Sequence, residues 1–314
     1  GMLASLLTRT GYSSSDLVER LEELKKRQFI EIERFHGGEE LIRIVSNQLS
    51  DITLKAIPSD RITAVHHVIA ELMRDAAEDN IAGITIELGS HLMSSYFLKE
   101  DWAVEFLSAA GEKLILMEDF VTAAAVFEEA GARLGLECAE GTEIVEGERG
   151  AKFCGLMVDS GRALLGGSKV KEAFSRLLSA LQLARDHSFE LPRAKACLYL
   201  GDIMLRRGDW NGAQKFFDEG SSCAVRVNDK ILQASCLNSL VSIHLRREDF
   251  DSAREVTGQI LEILEDQQRS DLALDSMLNM AYINQRLGER DQALELYEKI
   301  LELSSNAGRE PSAV

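Results

Sequence analysis

The chain has 314 residues, of which 45% are hydrophobic and 6% aromatic, with 3 prolines. This composition favours long helices that pack through small residues. The formal net charge of −17 opposes binding to nucleic acid or to an anionic membrane. No apolar run approaches the roughly 18 residues of a membrane span, and Met2–Leu7 lacks the basic start of a signal peptide.

The first 57 residues predict a small winged-helix-like segment. The amphipathic run Leu17–Leu24 predicts a helix. Phe29–Phe35 alternates apolar and charged residues, which indicates a strand that ends at Gly37-Gly38. Another helix is expected from Glu39. Residues 1–60 contain 8 basic and 10 acidic side chains, so this segment is expected to have a structural or interdomain role and not to bind DNA.

Scattered residues between about positions 10 and 110 form a second pattern. They are Phe35-His36, Leu41-Ile42-Arg43, Arg61, His67, Ile69-Ala70-Glu71 and His91. The pattern resembles the segment that follows the nucleotide-binding domain in bacterial STAND-type signalling ATPases and regulators. The resemblance implies a winged helix leading into a helical-repeat sensor, with degenerate helical hairpins over residues 58–110.

From Leu198 onward the chain repeats itself every 40 residues. The aligned columns are Gly201, Val241 and Ala281; Ala213, Ala253 and Ala293; and Phe217, Thr257 and Tyr297. Two earlier units share them through Gly111, Ala123 and Phe127, and through Gly161, Ala173 and Leu177. A fixed period in this range indicates a helical solenoid. We expect the small columns to allow close helix contact and residues such as Phe217 to fill the gap to the next unit.

Leu200-Gly201, Gly208-Asp209-Trp210, Ala213 and Phe217 resemble the signature of the tetratricopeptide repeat in order, and Leu278–Leu303 matches almost as well. The resemblance implies an all-α fold, a right-handed superhelical solenoid of antiparallel helix pairs with about five units over residues 105–305. The usual unit has about 34 residues, so longer helices or connectors are expected. An acidic exposed loop near residues 136–150 and a flexible tail over 306–314 complete the predicted organisation.

Arginine recurs at the end of each first helix, as Arg206, Arg246 and Arg286. In the repeats that the chain resembles, this column lines the inner groove. The neighbouring groove positions are Lys195, Asp202, Asn238, Ser242, Leu245, Leu278, Tyr282 and Gln285. Because a guanidinium binds carboxylates bidentately, the column predicts a site for an acidic or C-terminal peptide segment. The alternative is that the arginines pair with Asp202, Asp275 or helix carbonyls and stabilise the stack.

Motifs for catalysis, a cofactor or a metal are not evident. Leu165–Lys169 superficially resembles a phosphate-binding loop, but no strand precedes it, so a turn is predicted. His66 and His67 are adjacent and therefore lie on different faces of a helix, without ligand spacing around them. Of the five cysteines, Cys154, Cys197, Cys223 and Cys236 fall on helices and are expected to be buried thiols in a reducing cytoplasm.

The sequence thus favours a non-enzymatic scaffold or sensor of bacterial signalling that binds a protein or peptide in its groove. The alternative is an effector-sensing regulatory domain of the STAND type that binds a small molecule. An open polar groove would favour the first hypothesis, and a closed pocket with converging polar and aromatic groups would favour the second.

Overall fold

Helices make up nearly all the regular structure in the described part of the chain. By contact, the chain divides into two units, Gly1–Gly135 and Leu136–Val314, and each unit is described by itself. The computed structural model describes residues 19, 22–27, 30–34, 40–44, 63, 65–71, 89–93, 101–134, 147–265 and 271–307.

The first unit contains a two-stranded antiparallel hairpin. Strand β1, Ile30–Arg34, pairs with strand β2, Glu40–Ile44, with Ile32 opposite Ile42. The predicted strand is therefore confirmed, whereas the helix expected from Glu39 is wrong over β2. The apolar positions of this five-residue run do not distinguish a helix turn from a strand, and pairing with β1 decides the outcome.

Helical residues follow in the same unit. Residues 22–26, 65–71 and 89–93 are helical, and α1 (Asp101–Leu116) is joined by a tight turn to α2 (Phe120–Arg133). The Arg133 guanidinium donates to the carbonyl of Leu92, which ties α2 to the 89–93 helix. The predicted strand end at Gly37-Gly38 lies outside the described residues.

The second unit consists of helices throughout its described ranges. They pack as consecutive antiparallel pairs, which confirms the predicted all-α repeat architecture. The helices are α3 (Glu148–Gly166), α4 (Val170–Asp186), α5 (Glu190–Arg206), α6 (Trp210–Arg226), α7 (Lys230–Arg246), α8 (Phe250–Ile263), α9 (Asp271–Leu287) and α10 (Arg290–Ala307).

Two predicted boundaries need correction. Glu148 belongs to the first turn of α3, so the expected acidic loop ends before it, and residues 136–146 lie outside the described part. At the other end, α10 continues to Ala307, inside the expected tail, and residues 308–314 also lie outside the described part.

The 40-residue period comes from the helices and not from long connectors. Helices α4, α5, α6 and α7 each have 17 residues, and three residues separate one helix from the next. Two such helices and two such turns make one period. The extra length over the usual unit of about 34 residues therefore lies in the helices.

Each three-residue turn between described helices uses the same backbone device. The second turn residue is left-handed, as at Gly208 with φ 81°, and the next N–H bonds back into the preceding helix, as from Asp209 to the Met204 carbonyl at 3.0 Å. This is a Schellman closure. The Asp209 side chain also accepts from the Gly212 N–H at 2.9 Å, so one residue closes a helix and caps the next. These second residues are Glu118, Ser168, Ser188, Gly208, Asn228 and Glu248, and the two-residue turn before α10 has the left-handed Gly288 as its first residue.

We predict that Gly208→Ala lowers the free energy of unfolding by about 1 kcal/mol, because a Cβ is unfavourable at positive φ. Gly258→Ala is the matched control. Gly258 lies within α8 and a Cβ there would meet nothing within 4 Å, so alanine should be neutral or stabilising by roughly 0.5–1 kcal/mol. Urea melts of both variants test this, and a Gly208→Ala midpoint at or above the wild type would contradict it.

In the core, the side-chain volumes at two of the sequence columns complement each other. A Cβ on Gly201 of α5 would lie 2.4 Å from the ring of Phe217 on α6, and that ring is fully buried. In the next unit the same columns hold Val241 and Thr257, both fully buried. A small residue therefore faces a large one, or two medium ones face each other. The earlier pairs are Gly111 with Phe127 and Gly161 with Leu177.

The Phe217 ring thus packs directly over Gly201 of its own helix pair. It also joins a buried cluster with Leu240 and Val241 of α7, so the predicted filling between units holds as a second contact. Ala213 and Ala253, the small residues of the second helices, are fully buried.

Ion pairs on the second helices join successive units. Glu219 of α6 binds two arginines, Arg185 Nη2 at 2.5 Å and Arg193 Nε at 2.7 Å, and these hydrogen bonds lower the pKa of the Glu219 carboxyl. Arg254 of α8 binds Glu289 at 2.8 Å. These contacts stabilise the stack and involve none of Arg206, Arg246 and Arg286.

The four cysteines of the described helices are buried free thiols, as predicted. Burial raises the pKa of Cys236 to about 12 and that of Cys223 to about 11. Thiols with a raised pKa are poor nucleophiles, so these residues serve packing.

Candidate functional site

The first helices of successive pairs, α5, α7 and α9, lie side by side in the second unit. Asn279 Nδ2 of α9 donates to Asn238 Oδ1 of α7 at 3.1 Å, which links the solvent-facing stripes of two neighbouring units. We call the stripe that these helices present the first-helix face. Its members are Lys195, Asp202, Arg206, Asn238, Ser242, Leu245, Arg246, Leu278, Tyr282, Gln285 and Arg286.

This face combines polar side chains with two exposed apolar ones. Leu278 is 43% exposed and Tyr282 39% exposed, one helical turn apart on α9. Lys195 and Asn238 are half-buried and Gln285 is exposed. Within the described residues, Lys195 and Gln285 form no side-chain hydrogen bond or ion pair. The face is open to solvent along α9.

The predicted arginine column divides into two kinds of residue. Arg206 and Arg246 are exposed, and neither forms an ion pair or a side-chain hydrogen bond with any residue that the structure describes. Arg286 is held in place instead. Its Nη1 donates to the Tyr282 hydroxyl at 2.9 Å, and its guanidinium carbon lies 4.8 Å from the centre of the Phe250 ring.

The residue that follows each arginine in the chain explains why Arg286 is engaged and Arg206 and Arg246 are not. Arg207 stacks on Phe174 of α4 at 4.9 Å, and Arg247 donates to Gln214 of α6 at 3.0 Å, so each reaches the second helix of the preceding pair. In the last pair this position is Leu287, which packs against the core. Arg286 then makes the contact with the preceding second helix, while the two earlier units leave their first arginine unengaged.

Arg207 and Arg247 were not predicted from the sequence to contact the preceding helix pair. Their signal in the sequence is the arginine doublet, Arg206-Arg207 and Arg246-Arg247, which becomes Arg286-Leu287 in the last unit. A doublet predicts two different roles, because adjacent helix residues point about 100° apart.

Asp202 is a half-buried carboxyl of this face. Desolvation raises its pKa to about 6 from an ordinary 3.8, and the charge of Arg206 opposes that rise. The two groups interact through space, yet no ion pair joins them among the described side chains. The expected pairing of Arg206 with Asp202 is therefore a weak interaction, and the guanidinium keeps its hydrogen-bonding capacity.

The raised pKa of Asp202 predicts a pH-dependent stability. Because the folded-state pKa of Asp202 lies above its unfolded value, the contribution of this carboxyl to the free energy of unfolding is most favourable below about pH 4. That contribution is lost as the pH rises through 6. Asp202→Asn should therefore match the wild type near pH 4 and exceed it by about 1–2 kcal/mol at pH 7. Urea melts across this range test it, with Asp251→Asn, an exposed aspartate of α8, correcting for the loss of one negative charge. A stability difference that stays constant with pH would refute the prediction.

Neither a metal centre nor a membrane-spanning helix is found among the described residues. No group of three or more His, Cys, Asp or Glu side chains within the described ranges could hold a metal ion. His66 contacts His91, with Nδ1 atoms 2.7 Å apart, whereas His67 lies 3.8 Å from Glu71. None of the helices described here is both long and apolar enough to cross a bilayer.

Comparison with known proteins agrees with the repeat pattern. Residues 275–307 match the tetratricopeptide repeat family, which covers α9 from Asp275 and all of α10. No curated protein sequence matches the chain significantly.

Solved structures share the fold at low sequence identity. BtubC (BKLC) from P. vanneervenii superposes with a TM-score of 0.57 at 14% identity, over 82% of this chain and 95% of that one. The TPR-like repeats of a putative kinesin light chain from Podosopora anserina give 0.51 at 13% identity, over 68% and 100%. The Rap conjugation gene regulator of the plasmid pLS20, in complex with the Phr* peptide, gives 0.50 at 14% identity, over 83% and 69%. The repeat match and the shared fold together support a tetratricopeptide repeat protein built as a helical solenoid.

Proposed function

We propose that this chain is a non-enzymatic interaction scaffold whose first-helix face binds a protein or peptide segment through carboxylate groups. The observation that carries the proposal is the pair Arg206 and Arg246, exposed and unengaged among the described side chains. Their neighbours Arg207 and Arg247 are anchored to the preceding helix pair. Two guanidinium groups at equivalent positions of adjacent units suit an extended acidic segment or a C-terminal carboxylate.

Other groups of the face fit a peptide. The Asn238–Asn279 amide pair keeps further amide hydrogens and lone pairs that can bind a peptide backbone. Leu278 and Tyr282 offer exposed apolar area beside it. The solved complex of the pLS20 Rap regulator with the Phr* peptide supports a peptide as ligand, because the fold is shared.

The test is a paired-variant binding experiment. Peptides are selected from a random library presented with free C-terminal carboxylates and, in parallel, as C-terminal amides. Selected binders should carry acidic side chains or require the free carboxylate. Arg206→Ala/Arg246→Ala should fold normally and weaken their binding by about 10–100-fold, as expected for lost charge-assisted hydrogen bonds.

The matched control is Arg207→Ala/Arg247→Ala, which removes the same charge from adjacent positions. It should lower stability, because it removes the contacts to Phe174 and Gln214, while leaving peptide affinity within about threefold. If the Arg206/Arg246 variant folds and binds as the wild type does, the proposed site is wrong. If both variants weaken binding equally, the effect is one of net charge alone.

We place this scaffold in the bacterial cytoplasm as part of a regulator. The buried free thiols of the described helices support a reducing compartment. The antiparallel hairpin of β1 and β2 supports a winged-helix-like segment over residues 1–57, as the STAND resemblance implies. The effector-sensing alternative is less favoured, since Leu278 and Tyr282 are exposed and a small-molecule site would enclose such side chains. Thermal-shift screening with nucleotides and sugars separates the two, because only the alternative expects a large stabilisation.

A further inference from the structure

Three large apolar side chains are exposed together where α1 turns into α2. Leu116, the last residue of α1, is 84% exposed; Met117 in the turn is 62% exposed; and Val121 in the first turn of α2 is 61% exposed. We call this set the α1–α2 patch. It belongs to the first unit and shares no residue with the first-helix face.

The turn itself does not require apolar residues. Its left-handed residue is Glu118 with φ 61°, and Asp119 N–H bonds back to the Leu114 carbonyl at 2.9 Å, as in the other turns. At the positions of Leu116, Met117 and Val121 the other units are mostly glycine or polar. Those units carry Gly166, Gly167 and Lys171; Arg206, Arg207 and Asn211; Arg246, Arg247 and Asp251; and Arg286, Leu287 and Asp291.

The core of the α1–α2 pair does not use the patch either. Leu114, Ala123 and Phe127 are buried between the helices, and they complete the packing of the pair. The α1–α2 patch thus exposes apolar area to water in a place where the other units show that polar residues suffice. Exposed apolar clusters of this kind mark interaction surfaces.

Acidic residues beside the patch determine which kind of partner can cover it. Glu118 is exposed there, and Asp119 adds a carboxylate that also caps Thr122 at 3.2 Å. A second copy of the chain would bring the same carboxylates against these and a like net charge of −17, which opposes association. An anionic membrane is repelled for the same reason.

We propose that the α1–α2 patch docks a basic amphipathic helix of a partner protein. The apolar face of that helix covers Leu116, Met117 and Val121, and its lysines or arginines meet Glu118 and Asp119. The flexible thioether of Met117 adapts to different apolar partners, so shape is less restrictive here than the combination of apolar and basic groups.

The test uses three synthetic helical peptides of about 14 residues. One has a leucine stripe and a lysine face, the second has glutamate in place of lysine, and the third is a scrambled form of the first without a stripe. Fluorescence anisotropy at physiological salt should show binding of the first peptide only. The scrambled peptide carries the same charge, so its failure to bind would show that the apolar stripe is required as well.

The decisive variant gives the patch the residues that α5 and α6 carry, Leu116→Arg/Met117→Arg/Val121→Asn. It should fold as the wild type does and weaken the first peptide by at least about tenfold. Leu294→Arg/Leu301→Arg, on exposed leucines of α10, makes the same change in net charge and should stay within about threefold. A third variant, with serine at all three patch positions, removes the apolar area without adding charge and should also weaken binding.

Equal binding by wild type and patch variants overturns the proposal. A wild-type dimer that becomes a monomer in the serine variant would assign the patch to a second copy and also overturn it. Binding to zwitterionic vesicles that disappears in the serine variant would assign the patch to a membrane, with the same consequence.

Discussion

Gly201→Val should destabilise the protein by about 3 kcal/mol or more, and its combination with Phe217→Thr should lose less stability than the two single changes added together. A Cβ at position 201 would lie 2.4 Å from the Phe217 ring, and the ring is fully buried in an interior where side chains are closely packed. Overpacking of this kind costs about 1–3 kcal/mol for ordinary insertions, and a β-branched residue exceeds that range.

The single variant Phe217→Thr should lose about 3–5 kcal/mol, as for other truncations of a buried phenylalanine. The double variant reproduces the pair Val241 and Thr257 of the next unit, so its loss should be smaller than the sum by about 1–3 kcal/mol. Urea melts of the four proteins give this coupling energy. Strictly additive losses would mean that the two columns do not share one volume.

Ala213→Leu and Ala253→Leu should each lower the free energy of unfolding by about 1–3 kcal/mol. Both alanines are fully buried on second helices, where a larger side chain must separate helices that are packed on both sides. Ala125→Leu, at an exposed position of α2, is the control and should stay within about 0.5 kcal/mol of the wild type. Unchanged urea midpoints for the buried substitutions would refute close helix contact at these columns.

The repeat architecture could be predicted because each unit makes the same contacts, so the columns recur in the sequence. The turns could be located but their conformation could not. Ser168 and Glu248 have positive φ, and neither residue type signals it, because the Schellman hydrogen bonds impose the conformation. Strand β2 was mispredicted for a related reason, since its pairing with β1 depends on a partner elsewhere in the chain.

The candidate site shows the same limit. The column Arg206, Arg246 and Arg286 is evident from the period, and all three residues lie at the ends of first helices. Their different engagement depends on Leu287 and on the ring of Phe250, which lies 36 positions before Arg286 in the sequence. Contacts of that range follow from the packing of one pair on the next, and a binding role for the column stays a prediction.

The shared turn residue has a consequence for how such a chain can change in length. Asp209, Asp229 and Asp249 each end one helix and start the next, so the helices from α5 to α8 follow one another with only a three-residue turn between them. A single inserted residue would break a closure and a cap at once and rotate every later helix relative to its contacts. Deletions and duplications that keep the fold should therefore come in steps of whole helix pairs.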